Sequence, residues 1–146
     1  MKLLLIGVVA AALAAPIALQ SKDVNAVAAK DIKWTPAKNL PGGVMSCQLH
    51  GDPTKGPVLT IVKVPAGTLI PPHFHGSDEV PTVISGAIWV GQGETVDESK
   101  GTLVEAGGYV NIPAKAPHWA KAKTDAVFVR YSNGPADITY CSELKK

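Results

Sequence analysis

Apolar positions fall in short runs separated by glycine and proline. Val44–Leu49 is followed by the turn cluster Gly51-Asp52-Pro53-Thr54-Lys55-Gly56-Pro57 and then by Val58–Val64. Further runs are Val80–Ser85, Ala87–Val90, Thr102–Glu105, Tyr109–Ile112, His118–Lys123, Ala126–Tyr131 and Ile138–Cys141. Val58, Thr60, Val62 and Val64 set against Leu59, Ile61 and Lys63 alternate only weakly, as expected of a strand covered on both faces. About eight to ten short strands with Gly/Pro turns predict an all-β sandwich or barrel. Thr95-Val96-Asp97-Glu98 has capping-box spacing and predicts a turn or two of helix before Gly101. Residues 29–43, polar and carrying Pro36 and Pro41, read as an N-terminal arm, and 44–146 as a single β-domain.

The 17 residues Leu3–Leu19 are uncharged and apolar, follow one lysine, and contain Pro16. They fall short of the roughly 20 that span a bilayer. With Ala26-Val27-Ala28 behind them, they predict a secretory signal peptide over 1–28, cleaved after Ala28 or Ala29. The competing reading is an uncleaved anchor. On the first reading the chain is periplasmic or secreted and keeps no stable membrane association. Net charge is +2, with 18 % charged and 46 % apolar residues, which suits a packed core and gives no electrostatic footprint for nucleic acid.

Export changes how the cysteines are read. Cys47 and Cys141 lie near the two ends of the domain, each in a strand-like run. In an oxidising compartment such a pair is expected to form a structural disulfide, the alternative being two buried thiols. No CxxC pair is present, and P-loop, GxSxG and HExxH patterns are absent too.

Three of the four histidines form a pattern. His73 and His75 are two apart, so in a strand both rings share a face. Glu79 follows four residues later, and His118 opens a distant strand after Pro117. Imidazoles and a carboxylate brought together by a barrel suit a divalent metal. His50 lies outside the pattern and reads as a surface or rim residue. Trp89, Tyr109, Trp119 and Phe74 read mostly as core, and Trp119 and Phe74 should face away from the ligands beside them. Arg130, the only arginine, and Tyr131 point oppositely on one strand. Outward is the expectation for Arg130; inward, it would clamp an anion.

Gly67-x5-His73-x-His75-x3-Glu79-x6-Gly86 resembles the first motif of the cupin superfamily at every defined position. Gly107-x5-Pro113-x-Lys115-x2-His118 resembles the second, with Lys115 where glycine is usual and Ala122 where asparagine is usual. The resemblance implies a jelly-roll barrel with one divalent metal (Mn, Fe, Zn, Ni or Cu) held by His73, His75, Glu79 and His118. Pro81 departs from a simple strand and predicts a bulge or an unpaired position. The resemblance further implies a metal-dependent enzyme of dioxygenase, decarboxylase or isomerase type acting on a small oxygen-rich molecule. A non-catalytic metal- or ligand-binding module is the other reading. A homodimer is expected by analogy.

Overall fold

The computed structural model describes residues 24–142, so most of the expected leader lies outside the described residues. Ten strands run antiparallel in two five-stranded sheets. They are β1 (Thr35–Pro36), β2 (Met45–Gly51), β3 (Val58–Val64), β4 (Leu69–Phe74), β5 (Glu79–Ser85), β6 (Ala87–Gln92), β7 (Thr102–Glu105), β8 (His118–Ala122), β9 (Ala126–Ser132) and β10 (Thr139–Tyr140). One sheet has the order β1-β2-β3-β9-β5 and the other β10-β4-β8-β6-β7. This is the all-β jelly roll that the sequence predicts.

Strand register sets what faces inward. Val58, Val62 and Val64 lie opposite Ser132, Phe128 and Ala126, and Glu79, Pro81 and Val83 lie opposite Ser132, Arg130 and Phe128. The even positions of β3 and β9 and the odd positions of β5 therefore share the inner face. Val44, Val62, Val64 and Ala122 form a buried cluster against which Ala37, Leu40 and Phe128 pack. Ala122 thus fills core space rather than carrying a polar side chain.

Four local expectations change. Tyr109–Ile112 is not a continuous strand but makes bridges Glu79↔Ile112 and Thr82↔Tyr109 along the free edge of β5. Tyr109 is 68 % exposed rather than core, because its neighbours Val110 and Ile112 take the inward positions. The helical candidate is a single 3-10 turn, Glu98–Lys100, capped by Asp97 accepting from Ser99 N–H, not by Thr95. Cys47 and Cys141 are unbonded thiols. Cys47 lies on β2, where its Sγ points to Gln48 O at 3.6 Å, and Cys141 follows β10 in the other sheet.

Pro81 sits in β5 without breaking it. The odd residues of β5 exchange hydrogen bonds with 107–112: Glu79 with Ile112 in both directions, Val83 N–H with Gly108 O, and Val110 N–H with Pro81 O. The donor that Pro81 lacks therefore points away from β9, and the β5/β9 ladder loses nothing.

Candidate metal centre

The ligand strand is aimed by a bulge. Ile70 lies opposite Ala120 but His73 lies opposite His118, so three residues of β4 span two of β8. Pro71-Pro72 provide the extra residue, and the shift puts both Ile70 and His73 on the inner face, which an unbroken period of two would forbid. His75 then follows two residues on. His118 begins β8 directly across from His73.

The three rings converge. Centroids are 4.2 Å apart for His73–His118, 4.9 Å for His73–His75 and 5.2 Å for His75–His118. Each offers one ring nitrogen within 4.8 Å of the others, and all three residues are buried. The tautomers are fixed from outside. His73 Nδ1 meets Pro71 O at 2.7 Å, His75 Nδ1 meets Asp137 O at 2.5 Å, and His118 Nδ1 meets Ala116 O at 3.0 Å. Carbonyl oxygens only accept, so each Nδ1 donates its proton and each Nε2 keeps a lone pair for the centre.

Glu79 is 1 % exposed and stands beside the cluster rather than within it. Its Oε2 lies 3.3 Å from His75 Nε2, and its Oε1 lies 3.4 Å from an Arg130 terminal nitrogen. Oε1 and Arg130 Nε are both buried without a hydrogen-bond partner. Arg130 thus faces inward, against expectation. It belongs to the parity of Phe128 and Ser132, while Tyr131 takes the exposed side. Nothing in the all-apolar text Ala126–Val129 marks that parity, so the sequence alone left it hidden.

Burial governs the protonation states. It holds His73 down at about 3, with the neighbouring His118 ring the next cause. It holds His75 at about 4, against the opposing Asp137 hydrogen bond. His118 is lowered for the same reason. Burial pushes the Glu79 carboxyl up to about 7, against the downward pull of Arg130. The imidazoles are therefore neutral near pH 7, as metal ligation requires.

Backbone and polar braces hold the loops around the site. Gly67, Gly86 and Gly107, the motif glycines, all have φ between +76° and +90°. Lys115 has φ +62°, so the glycine-like conformation persists without glycine, and its N–H donates to His75 O at 2.7 Å. Asp78 is a brace and not a free surface charge: it accepts from Ala114 N–H and from the Asn133 side chain, and its own N–H donates to Asn133. Asp137 was not foreseen at all; besides its carbonyl on His75, its carboxylate accepts from Gly76 N–H at 2.9 Å.

Around the polar groups is a cavity of about 70 Å³ whose other walls include Val62, Ile70, Val83, Val90, Ile112 and Phe128. Phe74 and Trp119 do not line it, as strand alternation requires. Trp119 is instead buried on the opposite face of β8, against Gly91 and Gly101. His50 is exposed, beside Tyr131 on a shallow groove away from the centre.

Three neutral Nε2 donors converging, with the buried Glu79 Oε2 3.3 Å from one of them, fit a divalent first-row metal. The family model of the ChrR cupin-like domain matches residues 22–137. Similar solved structures include a candidate acetylacetone dioxygenase from Methylibium petroleiphilum PM1, 24 % identical with TM-score 0.64, 86 % of each chain being covered. An RmlC-like cupin from Ralstonia eutropha JMP134 is 21 % identical with TM-score 0.63, over 83 % of this chain and 74 % of that one. Rhodobacter sphaeroides SigE in complex with the anti-sigma ChrR gives 20 % identity and TM-score 0.55, over 73 % of this chain and 52 % of that one. These likenesses concern the fold. No curated protein matches the sequence.

Proposed function

The chain belongs to the family of ChrR cupin-like domains, and from that premise we propose that it is a metal-dependent enzyme acting on a small oxygen-bearing molecule inside the barrel. The observation that carries the reading is the convergence of three Nε2 lone pairs into a cavity with the buried Glu79 carboxylate at its side, Oε2 3.3 Å from His75 Nε2. His73, His75 and His118 would hold the metal, with Glu79 as the fourth ligand. When bound, the metal supplies Lewis-acid or redox chemistry to an oxygen-bearing ligand. The chain's own part is to keep the imidazoles neutral and oriented and to surround the reacting molecule with an apolar wall.

Apart from the ligand histidines, Glu79 and Arg130, the groups lining the cavity are apolar. That scarcity of separate acids and bases favours dioxygenase-type chemistry, in which the metal carries most of the reaction, over proton shuttling. A candidate acetylacetone dioxygenase among the similar structures supports the same direction. The second reading, a non-catalytic metal-binding module, is favoured by the similarity to an anti-sigma protein. Export after Ala28 or Ala29 belongs to the proposal and is checked by N-terminal sequencing of protein from an exporting host.

The test is the metal content of the wild-type protein beside a His73→Ala/His118→Ala variant. About one equivalent is expected in the wild type and next to none in the variant. Metal absent from the wild type after reconstitution overturns the reading. Bound metal with no O2 uptake on any small dicarbonyl or carboxylate transfers the weight to the binding module.

A further inference from the structure

Arg130 brings a permanent charge into a cavity that, apart from Glu79 and the three histidines, is apolar. Its side chain is 19 % exposed, it lines the cavity, and its Nε is buried without a hydrogen-bond partner. The contact with Glu79 is a single loose one at 3.4 Å, to a terminal nitrogen, which leaves the Nε edge of the fork unused. Desolvated guanidinium donors cost free energy until something accepts from them. The strand gives the side chain little room to withdraw, since Arg130 lies between Thr60 and Pro81 in register.

Charge balance points the same way. Arg130 and an ionised Glu79 cancel, and histidines that donate Nδ1–H to backbone carbonyls and ligate through Nε2 carry no charge. The other nearby carboxylate, Asp137, is exposed and engaged with Gly76 N–H at the rim. A dication at the histidines therefore leaves the interior with an excess of positive charge in a low-dielectric wall, and a resident anion relieves it.

Resting on the metal reading above, we propose that Arg130 is a specificity-determining residue selecting a small organic monoanion whose charge is shared by two oxygens. A carboxylate and the enolate of a 1,3-dicarbonyl share that chemistry, and either presents the planar pair of acceptors that a guanidinium edge matches. The cavity of about 70 Å³ and its valine, isoleucine and phenylalanine walls limit the remainder to a few apolar atoms. Neutral molecules of the same shape offer a carbonyl to the Nε donor but leave the charge unbalanced and lack the paired, charge-sharing oxygens that match the fork.

The experiment uses the full chain loaded with Co(II), whose visible absorption reports the centre without turnover. Acetate and the enolate of pentane-2,4-dione are titrated separately, each beside a neutral isostere, acetamide and pentan-2-one. At least one anion should perturb the Co(II) bands and raise the thermal midpoint where its neutral isostere does not. Arg130→Met should weaken that binding by about ten- to a hundredfold while the Co(II) content stays unchanged. Arg130→Lys, which keeps the charge and loses the fork, should fall between the two, and it decides the matter should Arg130→Met not fold. The acetate and enolate arms tell the two oxygen-pair sources apart. Equal affinity in the Arg130 variants, equal binding of the neutral isosteres, or no binding of either anion to Co(II)-loaded protein overturns the inference and leaves the metal reading standing. No Co(II) uptake by the wild type overturns both.

Discussion

At the scale of single residues, the histidines and Glu79 are titratable groups held away from their solution behaviour by the barrel wall. His73 and His75 titrate in the fold at about 3 and about 4, below the ordinary 6.5, and His118 is lowered as well. In the metal-free protein the unfolded chain therefore takes up protons first as pH drops below 6.5, and stability is lost with it. Glu79 acts oppositely: held at about 7 against the ordinary 4.5, its contribution is present below 4.5 and lost as pH rises through 7. Three imidazoles outweigh one carboxyl, so urea midpoints of metal-free protein should fall from pH 6.5 to pH 4. Glu79→Gln removes the opposing contribution and should make the fall steeper. A midpoint that rises on acidification would contradict the buried, neutral histidines. These four residues were singled out by the resemblance of Gly67–Gly86 and Gly107–His118 to the two cupin motifs, since a two-residue histidine spacing is weak by itself. The inward aim of Arg130 was not legible in the sequence, since both faces of β9 are apolar enough to hide which one is the core.

At the scale of the element, the Pro71-Pro72 bulge decides whether β4 is a ligand strand. Without the extra residue, Ile70 and His73 would point to opposite faces, and burying the first would expel the second. Deleting Pro72 should therefore lower metal content from about one equivalent to near zero in a protein that still gives a β-type circular dichroism spectrum, whereas Pro72→Ala should keep its metal. Retained metal in the deletion would show that the bulge does not set the aim. In the sequence the prolines announce a stiff approach to His73, but strand propensity counts them as breakers, which is why β4 escapes the list of apolar runs. The expected strand at Tyr109–Ile112 failed for the converse reason. Its apolar text is real, yet it serves as a covering for the edge of β5, joined to it by separate hydrogen bonds and two isolated bridges rather than a continuous ladder.

At the scale of the whole molecule, the C-terminal residues act as a strap across the metal end of the barrel. Asp137 O holds His75, Cys141 N–H donates to Pro72 O, and the Tyr140 hydroxyl donates to Asn39 O at 2.6 Å, tying the strap to the N-terminal arm. Ending the chain after Gly134 should weaken metal affinity by about 10–100-fold, measured by competition with a chelator, because the His75 ring loses the partner that orients it. Unchanged affinity would show that β4 alone suffices. No sequence pattern could have announced this, since the functional atom is a backbone carbonyl 62 residues from the ring it serves. The same arrangement shapes the rim of each sheet. β1 and β10 are two residues long, Pro36 occupies one of them, and the outer side of β5 is taken by 107–112. With the outer side of β5 covered, the longest terminal strand left open among the described residues is β7, with four residues, and a dimer made by strand addition there has a short seam. Short, proline-marked borders present little template for stacking one sheet onto another, so this barrel is protected against the edge-to-edge aggregation that threatens open β-sheets in concentrated solution.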